Sequence, residues 1–291
     1  MDPAECTLEL CSMESAYIHY QPSIPGNIVY IALFGTLLVI QLVQAPLYSM
    51  WGFSVSMMAG LVLEILGYAA RVLSHDDPFN FNWFLMNLIC LSLGPVFFCA
   101  ALYFLLGRIV IVHHGEDISR LRPKMYTVFF VSCDAIALAM QSAGGAITSA
   151  AGDADMRSIG TNVMIAGLAF QVVVLTLFIY LGTEFAIRLR RYRGERDDGF
   201  ASIREKRRWT VFIFTIALET LLVYIRSIFR VVELNGGYDS ELANDEIAFM
   251  VLEGALISIM CICLTAMHPG VALQQRKRKR DSSVELLERA P

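Results

Sequence analysis

Residues 83–107, WFLMNLICLSLGPVFFCAALYFLLG, run without a charged side chain from an acidic flank at Asp77 to a basic one at Arg108. As a helix rising ~1.5 Å per residue, this stretch is about 37 Å long, enough to cross a hydrocarbon core of ~30 Å. The same reading extends outward to six further segments, 27–45, 51–73, 126–147, 160–186, 209–232 and 247–267. Composition agrees, with 56% hydrophobic and only 17% charged residues. The expected fold is all-α: a polytopic membrane protein forming a single bundle of seven transmembrane helices. It divides into a tail (1–26), a transmembrane domain (27–267) and a basic tail (268–291).

The net charge of -4 says little, because the charges are sorted by side. Of the 23 basic residues, 19 fall in 108–124, 188–208 and 276–289, which share one side of a seven-span chain. The other side holds Asp2, Glu5, Glu9, Glu14, Asp76, Asp77, Asp153, Asp155, Asp239, Glu241, Asp245 and Glu246, with Arg157 as its loop cation. Positive loops stay cytoplasmic, so the N-terminus is expected outside and the C-terminus in the cytoplasm. Trp51, Trp83 and Trp209 each open a span, where an indole suits the headgroup level. Residues 1–26 have neither a basic n-region nor an apolar core, so the first span is expected to act as the anchor. The plasma membrane is the expected location, with an endomembrane as the alternative. Cys90, Cys99, Cys133, Cys261 and Cys263 fall inside spans and are expected to pack as small apolar residues, whereas Cys6 and Cys11 in the outer tail either bridge or stay free.

Several seven-span classes fail on a single residue requirement. A retinal protein needs an intramembrane lysine, but Lys124, Lys206, Lys277 and Lys279 all lie in cytoplasmic segments. An intramembrane zinc hydrolase needs converging ligands, and His19, His75, His113, His114 and His268 lie in tails, loops or span ends. There is no phosphate-binding loop of the Gly-x-x-x-x-Gly-Lys-Ser/Thr kind. A G-protein-coupled receptor shares the topology, but the third span ends in Gly-Arg-Ile-Val and the seventh lacks an Asn-Pro-x-x-Tyr pattern. No catalytic set, metal site or cofactor is expected, and no nucleic-acid partner. The basic loop 188–208 and the run 276–280 first fix topology; anionic lipid of the inner leaflet is their candidate partner.

The informative residues are polar groups inside the spans, each costing about 2.5–3.5 kcal/mol at mid-bilayer if charged. Glu64 and Arg71 are seven apart on the second span, as are Asp134 and Gln141 on the fourth. Gly167 and Gln171 are one turn apart on the fifth. Glu219, Arg226, Arg230 and Glu233 follow at seven, four and three on the sixth, and Glu253 stands on the seventh. Each set lines one helix face, and together they are expected to form a polar shaft in the bundle. Glu64, Asp134, Gln141, Gln171, Glu219, Arg226, Arg230 and Glu253 are the candidate substrate-binding residues. Arg71 and Glu233 are candidates for structural ion pairs. Pairing of Glu233 with Arg230, or of Glu253 with Arg226, would instead lock the bundle without touching substrate.

Longer patterns join these residues: Tyr20-Gln-Pro-Ser, Glu64-Ile-Leu-Gly-Tyr-Ala-Ala-Arg71, Gly94-Pro-Val-Phe-Phe-Cys-Ala-Ala-Leu-Tyr103 and Arg122-Pro-Lys. Further on come Asp134 to Gln141 with Ala143-Gly-Gly145, Gly167-Leu-Ala-Phe-Gln171, Ile225-Arg-Ser-Ile-Phe-Arg-Val-Val-Glu233 and His268-Pro-Gly270. In order and spacing these resemble the fungal lipid-translocating exporter family, the Rta-like proteins, over about residues 20–270. The resemblance implies a protein that moves, or confers tolerance to, amphiphilic molecules such as sphingoid long-chain bases, phospholipids, lipophilic toxins or porphyrin. In that family an acidic residue followed by Tyr and Asp, as Glu-x-x-x-Tyr-x-x-Asp, is expected after the sixth span; here Glu246, Met250 and Glu253 stand at those positions.

The resulting expectation is a membrane exporter or translocator for an amphiphile whose head enters the shaft while its tail stays in lipid. Glu64, Asp134 and Glu219 would receive an amine, and Arg226 and Arg230 a phosphate. Two alternatives remain: a seven-helix lipid sensor signalling through the loop 188–208 and the basic tail, or an exporter of a secondary metabolite.

Overall fold

Seven helices long and apolar enough to cross a membrane follow one another in the computed structural model, which describes residues 20–112, 123–191, 207–236 and 245–272. They are α1 (Ile24–Tyr48), α2 (Trp51–Asp76), α3 (Phe81–Val112), α4 (Pro123–Ala150), α5 (Ala154–Arg191), α6 (Arg207–Asn235) and α7 (Glu246–Ala266). A short α8 (Pro269–Ala272) follows, and no strand occurs among the described residues. The protein is an integral, multi-pass membrane protein. Cys6, Cys11, residues 192–206 of the basic connection and the run 276–280 lie outside the described residues.

Each helix packs on its neighbour in sequence, and α7 closes back on α1, so the seven form a ring. Inside that ring α3 also touches α6. Bulky side chains put α3 there: Phe98, Leu102 and Leu105 are fully buried. On the outer surface Val39, Leu42, Val173 and Phe214 are more than half exposed, the apolar belt that a hydrocarbon environment requires. The bundle has two ends, called here the N face, where α1 begins, and the C face, where α2 begins.

The acidic loops of the N face have a local purpose. Helices that start there expose unpaired N–H groups, which short polar side chains satisfy. Asn80 accepts from the Asn82 amide before α3 at 3.0 Å, and Asp153 from Met156 in the first turn of α5 at 2.7 Å. Asp245 accepts from the Ile247 and Ala248 amides at 2.9 and 3.2 Å. A carboxylate at these positions also complements the positive end of the helix dipole.

The C face is closed by the chain after α7. Pro269 has no N–H to offer the carbonyl four residues earlier, Thr265, which instead accepts from Gln44 Nε2 of α1 at 3.2 Å. The Thr265 hydroxyl accepts from Gln41 at 3.1 Å. His268 stacks on Tyr48 at 4.8 Å and meets Phe53 edge-on at 5.1 Å, at the bend where Ser49 adopts the left-handed conformation (φ 54°). The imidazole is fully buried. Its Nδ1 accepts from the Gly270 amide at 3.1 Å, and burial holds its pKa down to about 4.

Two features differ from the sequence reading. Trp209 stands in the first turn of α6, and its indole is buried against Phe212 rather than exposed on the outer surface. The helices also outrun the apolar segments, most of all α5, which extends through Asp155, Arg157 and Arg188 at its two ends. Charged side chains reach water from a helix end without breaking the helix, so hydropathy does not register those turns. The five cysteines in the spans are free, and Cys90, Cys99 and Cys261 are buried.

Candidate functional site

The local chemistry of α3 builds the centre of the site. Pro95 stands inside this helix and lacks an N–H, so the carbonyl of Leu91, four residues earlier, loses its helical donor. Arg226 of α6 fills the gap, donating from Nη2 to the Leu91 oxygen at 2.7 Å. Gly94, just before the proline, makes room for α2: a Cβ there would come 2.6 Å from Glu64 Oε1. The Gly-Pro pair therefore admits a carboxylate on one side of α3 and anchors a guanidinium on another.

Around this point α6 and α7 supply an ionic cluster. Arg226 Nε lies 2.5 Å from Glu253 Oε2, and Arg230 Nε lies 3.1 Å from Glu253 Oε1. Arg230 also donates to Glu233 Oε2 at 2.7 Å and to the Ser92 hydroxyl at 3.3 Å. Glu64 is within electrostatic reach of both Arg226 and Glu253. Glu253 itself sits in a π-helical turn, Met250–Ala255, the wider winding that inserts an extra residue into an α-helix and often marks functional sites. Tyr30 of α1 holds this turn by donating from its hydroxyl to the Met250 carbonyl at 2.7 Å. Gly254 lets the phenol approach, since a Cβ there would lie 2.4 Å from the ring.

Toward the N face the next group is Arg71. Where an ion pair was expected from the sequence, its partners are neutral: it donates to Tyr20 at 2.8 Å and to Asn27 at 3.3 Å, and stacks over the Phe249 ring at 3.8 Å. Tyr20 belongs to a strap ahead of α1. Gln21 donates to the His75 carbonyl at 3.0 Å, the His75 ring meets the Pro22 carbonyl at 2.7 Å, and the Ser23 amide donates to Glu246 at 2.6 Å. Residues 20–23 thus tie α2 to α7 over the N-face end of the site.

The remaining candidates stand apart from the cluster. Asp134 of α4 accepts from the Tyr103 hydroxyl of α3 at 2.9 Å, and Gln141 donates to Gln171 across α4 and α5 at 3.1 Å. Glu219 of α6 is fully buried, and neither of its carboxylate oxygens has a hydrogen-bond partner. Glu64 Oε1 and the Tyr68 hydroxyl are likewise buried and unpartnered. The expected single shaft is therefore divided. The central α3, with Phe98 and Leu102 buried in it, lies between the Gln141–Gln171 pair of α4 and α5 and the column formed by α2, α6 and α7, and its own Tyr103 holds Asp134.

Cavities among the described residues open near the Gln141–Gln171 pair and at the N face. One of about 180 Å³ lies between α3, α4 and α5, with Ser92, Gln141, Ser142 and Ser149 among otherwise apolar walls. Through Ser92 it touches the Arg230 side of the ionic cluster. It is smaller than the ~300–1,000 Å³ of typical ligand pockets. The other, about 600 Å³, opens at the N face between the start of α5 and the end of α6, around Asp153, Arg157, Asn162 and Asn235. No group of three or more metal-ligating side chains occurs among the described residues.

Four hydrogen-bonding partners of the site were not among the candidates: Tyr20 and Tyr103, which stood in the quoted patterns without a role, and Asn27 and Tyr30. Of the signals available, Pro95 standing four residues after Leu91 was the readable one; the π-helical turn had none.

A bundle of seven membrane-spanning helices with ionisable side chains buried in its interior defines the class: an integral, multi-pass membrane protein. Residues 57–276 match the family described as RTA1 like protein, and the chain belongs to that family. It is 31% identical to the sphingoid long-chain base transporter RSB1 of Saccharomyces cerevisiae, over 90% of this chain and 75% of that protein. It is also 28% identical to the protein RTM1 of the same organism, over 70% and 63% of the two chains. Protoporphyrin uptake protein 1, again of Saccharomyces cerevisiae, is 26% identical over 71% of this chain and 65% of its own. No solved structure matches the chain.

Proposed function

We propose that this protein translocates amphiphilic lipids with a cationic head, of the sphingoid long-chain base kind, across the bilayer. The observation that carries the reading is the charge inventory of the buried column. Three arginines there face four carboxylates: Arg226 and Arg230 of α6 are answered by Glu253 and Glu233, and Arg71 is held by neutral groups, whereas Glu219 has no hydrogen-bond partner and Glu64 Oε1 is likewise unpartnered. A site with carboxylates to spare receives an amine; one with spare guanidinium groups would receive a phosphate. The 31% identity to a sphingoid base transporter supports the same substrate class.

In this reading the head group passes between the unpaired carboxylates while its chain remains in lipid, which spares it most of the cost of crossing bare hydrocarbon. Gln141, on the wall of the smaller cavity, lines the route on the far side of α3 together with Asp134 and Gln171. The N face, with its acidic caps, is extracellular or lumenal, the C face is cytoplasmic, and the plasma membrane is the site of action. The run 276–280 rests on anionic lipid of the inner leaflet.

The test is flux of a fluorescent sphingoid base and a fluorescent phospholipid in proteoliposomes containing only this protein. Movement of the base, lost in Glu219→Gln at unchanged thermal stability, is the expected result. Immobility of the base with folded protein overturns the reading. Movement of the phospholipid in its place would return the arginines to the role of ligands.

A further inference from the structure

Glu219 carries a second consequence, which rests on the transport reading above. We infer that Glu219 is a proton-exchange site, holding either one proton or one cationic head group and never both or neither, so that the protein is a cation–proton exchanger.

The geometry is that of an isolated acid. Glu219 lies about 18 Å along α6 from the Arg207 end and about 24 Å from the Asn235 end at ~1.5 Å per residue. It is fully buried, and both carboxyl oxygens lack hydrogen-bond partners. The titratable groups that face it among the described residues are the Cys261 and Cys263 thiols of α7. Glu64 of α2 reaches the same Cys261 from the other side. Among the described residues, neither α3 nor α5 brings a charged group to it. On its own helix, Arg226 and Arg230 are committed to Glu253, Glu233 and the Leu91 carbonyl.

A bare carboxylate in such surroundings is strongly disfavoured, and so is a cation without a counter-charge. The site is electrically neutral in only two ways. In the first, the carboxyl O–H bond is intact and the site is empty. In the second, that bond has broken, the proton has left to water on the face from which the amphiphile came, and the carboxylate faces the arriving cation. Release of the cation on the other face lets a proton from that side restore the O–H bond. One positive charge travels each way, and the cycle moves no net charge. Glu253 cannot do the same, because two arginines neutralise it permanently.

An ordinary sphingoid base cannot test this. Its neutral amine can cross unaided, leaving a proton behind and taking one up on arrival, which mimics exchange. The probe is therefore a fluorescent N,N,N-trimethyl sphingoid base, whose charge is fixed, in proteoliposomes with a lumenal pH dye and the membrane potential clamped by potassium and valinomycin. With the lumen one pH unit more acidic, the probe is expected to gather in the inner leaflet about tenfold over the outer at equilibrium. The lumen should become more alkaline as it does so. Glu219→Gln, checked for folding by its melting temperature, should abolish both signals. Movement of the trimethylated base that follows the potential, with no lumenal pH change, overturns the exchange. So does movement of the unmodified base alone, beyond its rate in protein-free vesicles. Movement of neither base instead sinks the transport reading itself.

Discussion

The two halves of the ring are fastened by different chemistry. On one side, α1, α2, α6 and α7 are joined by polar bonds: the strap over Arg71, Tyr30 on the π-helical turn, Gln41 and Gln44 on Thr265, and the arginines on Glu253. On the other, α4 and α5 meet backbone to backbone. A Cβ at Gly144 would lie 2.6 Å from the Gly160 carbonyl and from the Met164 amide nitrogen. One at Gly160 would lie 2.6 Å from the Thr148 nitrogen, and one at Gly167 2.9 Å from the Ala137 carbonyl. Ala137 and Gly144 are seven apart, as are Gly160 and Gly167, the regular spacing of small residues that lets membrane helices approach closely. Lipid tails give no hydrophobic push between helices, so each side needed its own adhesive. The α4–α5 side is fixed mainly by shape, with the Gln141–Gln171 hydrogen bond beside it, and the other by polar and ionic bonds.

That contrast breaks first at Arg226. Arg226→Ala leaves Glu253 short of a counter-charge and the Leu91 carbonyl without a donor, and about 3–5 kcal/mol of stability is expected to disappear. Thermal unfolding in detergent reads this directly, and an unchanged melting temperature would mean that the cluster is not what joins α3, α6 and α7. On the opposite side, Gly144→Ala presses a methyl group against backbone that cannot turn aside, at an expected cost of about 1–3 kcal/mol. Gly182→Ala is its control: nothing stands within 4 Å of that Cβ, and a helix gains about 0.5–1 kcal/mol from losing the glycine. Equal effects from the two substitutions would erase the distinction between the halves.

A smaller effect sharpens the picture on the polar side. Tyr30→Phe removes the hydrogen bond to the π-helical turn and should cost about 0.5–1.5 kcal/mol, with a larger change in hydrogen exchange at 250–255 than elsewhere in α7. The subtlest effect is a slope. The His268 ring is neutral and buried, with its pKa held near 4 against an ordinary value of 6.5. Its contribution to stability is complete above about pH 6.5 and is lost as the pH falls from there toward 4, because the unfolded chain takes up the proton first. His268→Gln should flatten that part of the melting-temperature profile, and an unaltered profile would show that other groups set it.

The seven spans were legible because each is a long, predominantly apolar run with at most three charged side chains, and the loop acids and bases marked which ends share a face. The reading of α5 as 160–186 stopped short for the same reason, since Asp155, Arg157 and Arg188 are helical without being apolar. Arg226, Arg230, Glu233 and Glu253 announced themselves by the expense of charge in hydrocarbon. Their mutual distances, however, depend on helix rotation and on a π-helical turn that no residue pattern declared. Arg71 shows the limit most plainly. Its charge called for a carboxylate, and the fold answers it with a phenol, an amide and the face of Phe249. Neutral partners of this kind leave no mark in a sequence scanned for charge.

A proline inside a membrane helix is usually read as a hinge, a place where the rod bends. Pro95 works instead as a socket, because withholding one amide hydrogen turns the Leu91 oxygen into a receptacle cut into the side of α3, and Arg226 is the plug. Restoring the missing hydrogen with alanine would make α3 a better helix in isolation and a worse neighbour for α6. Improvement of the part would undo the joint.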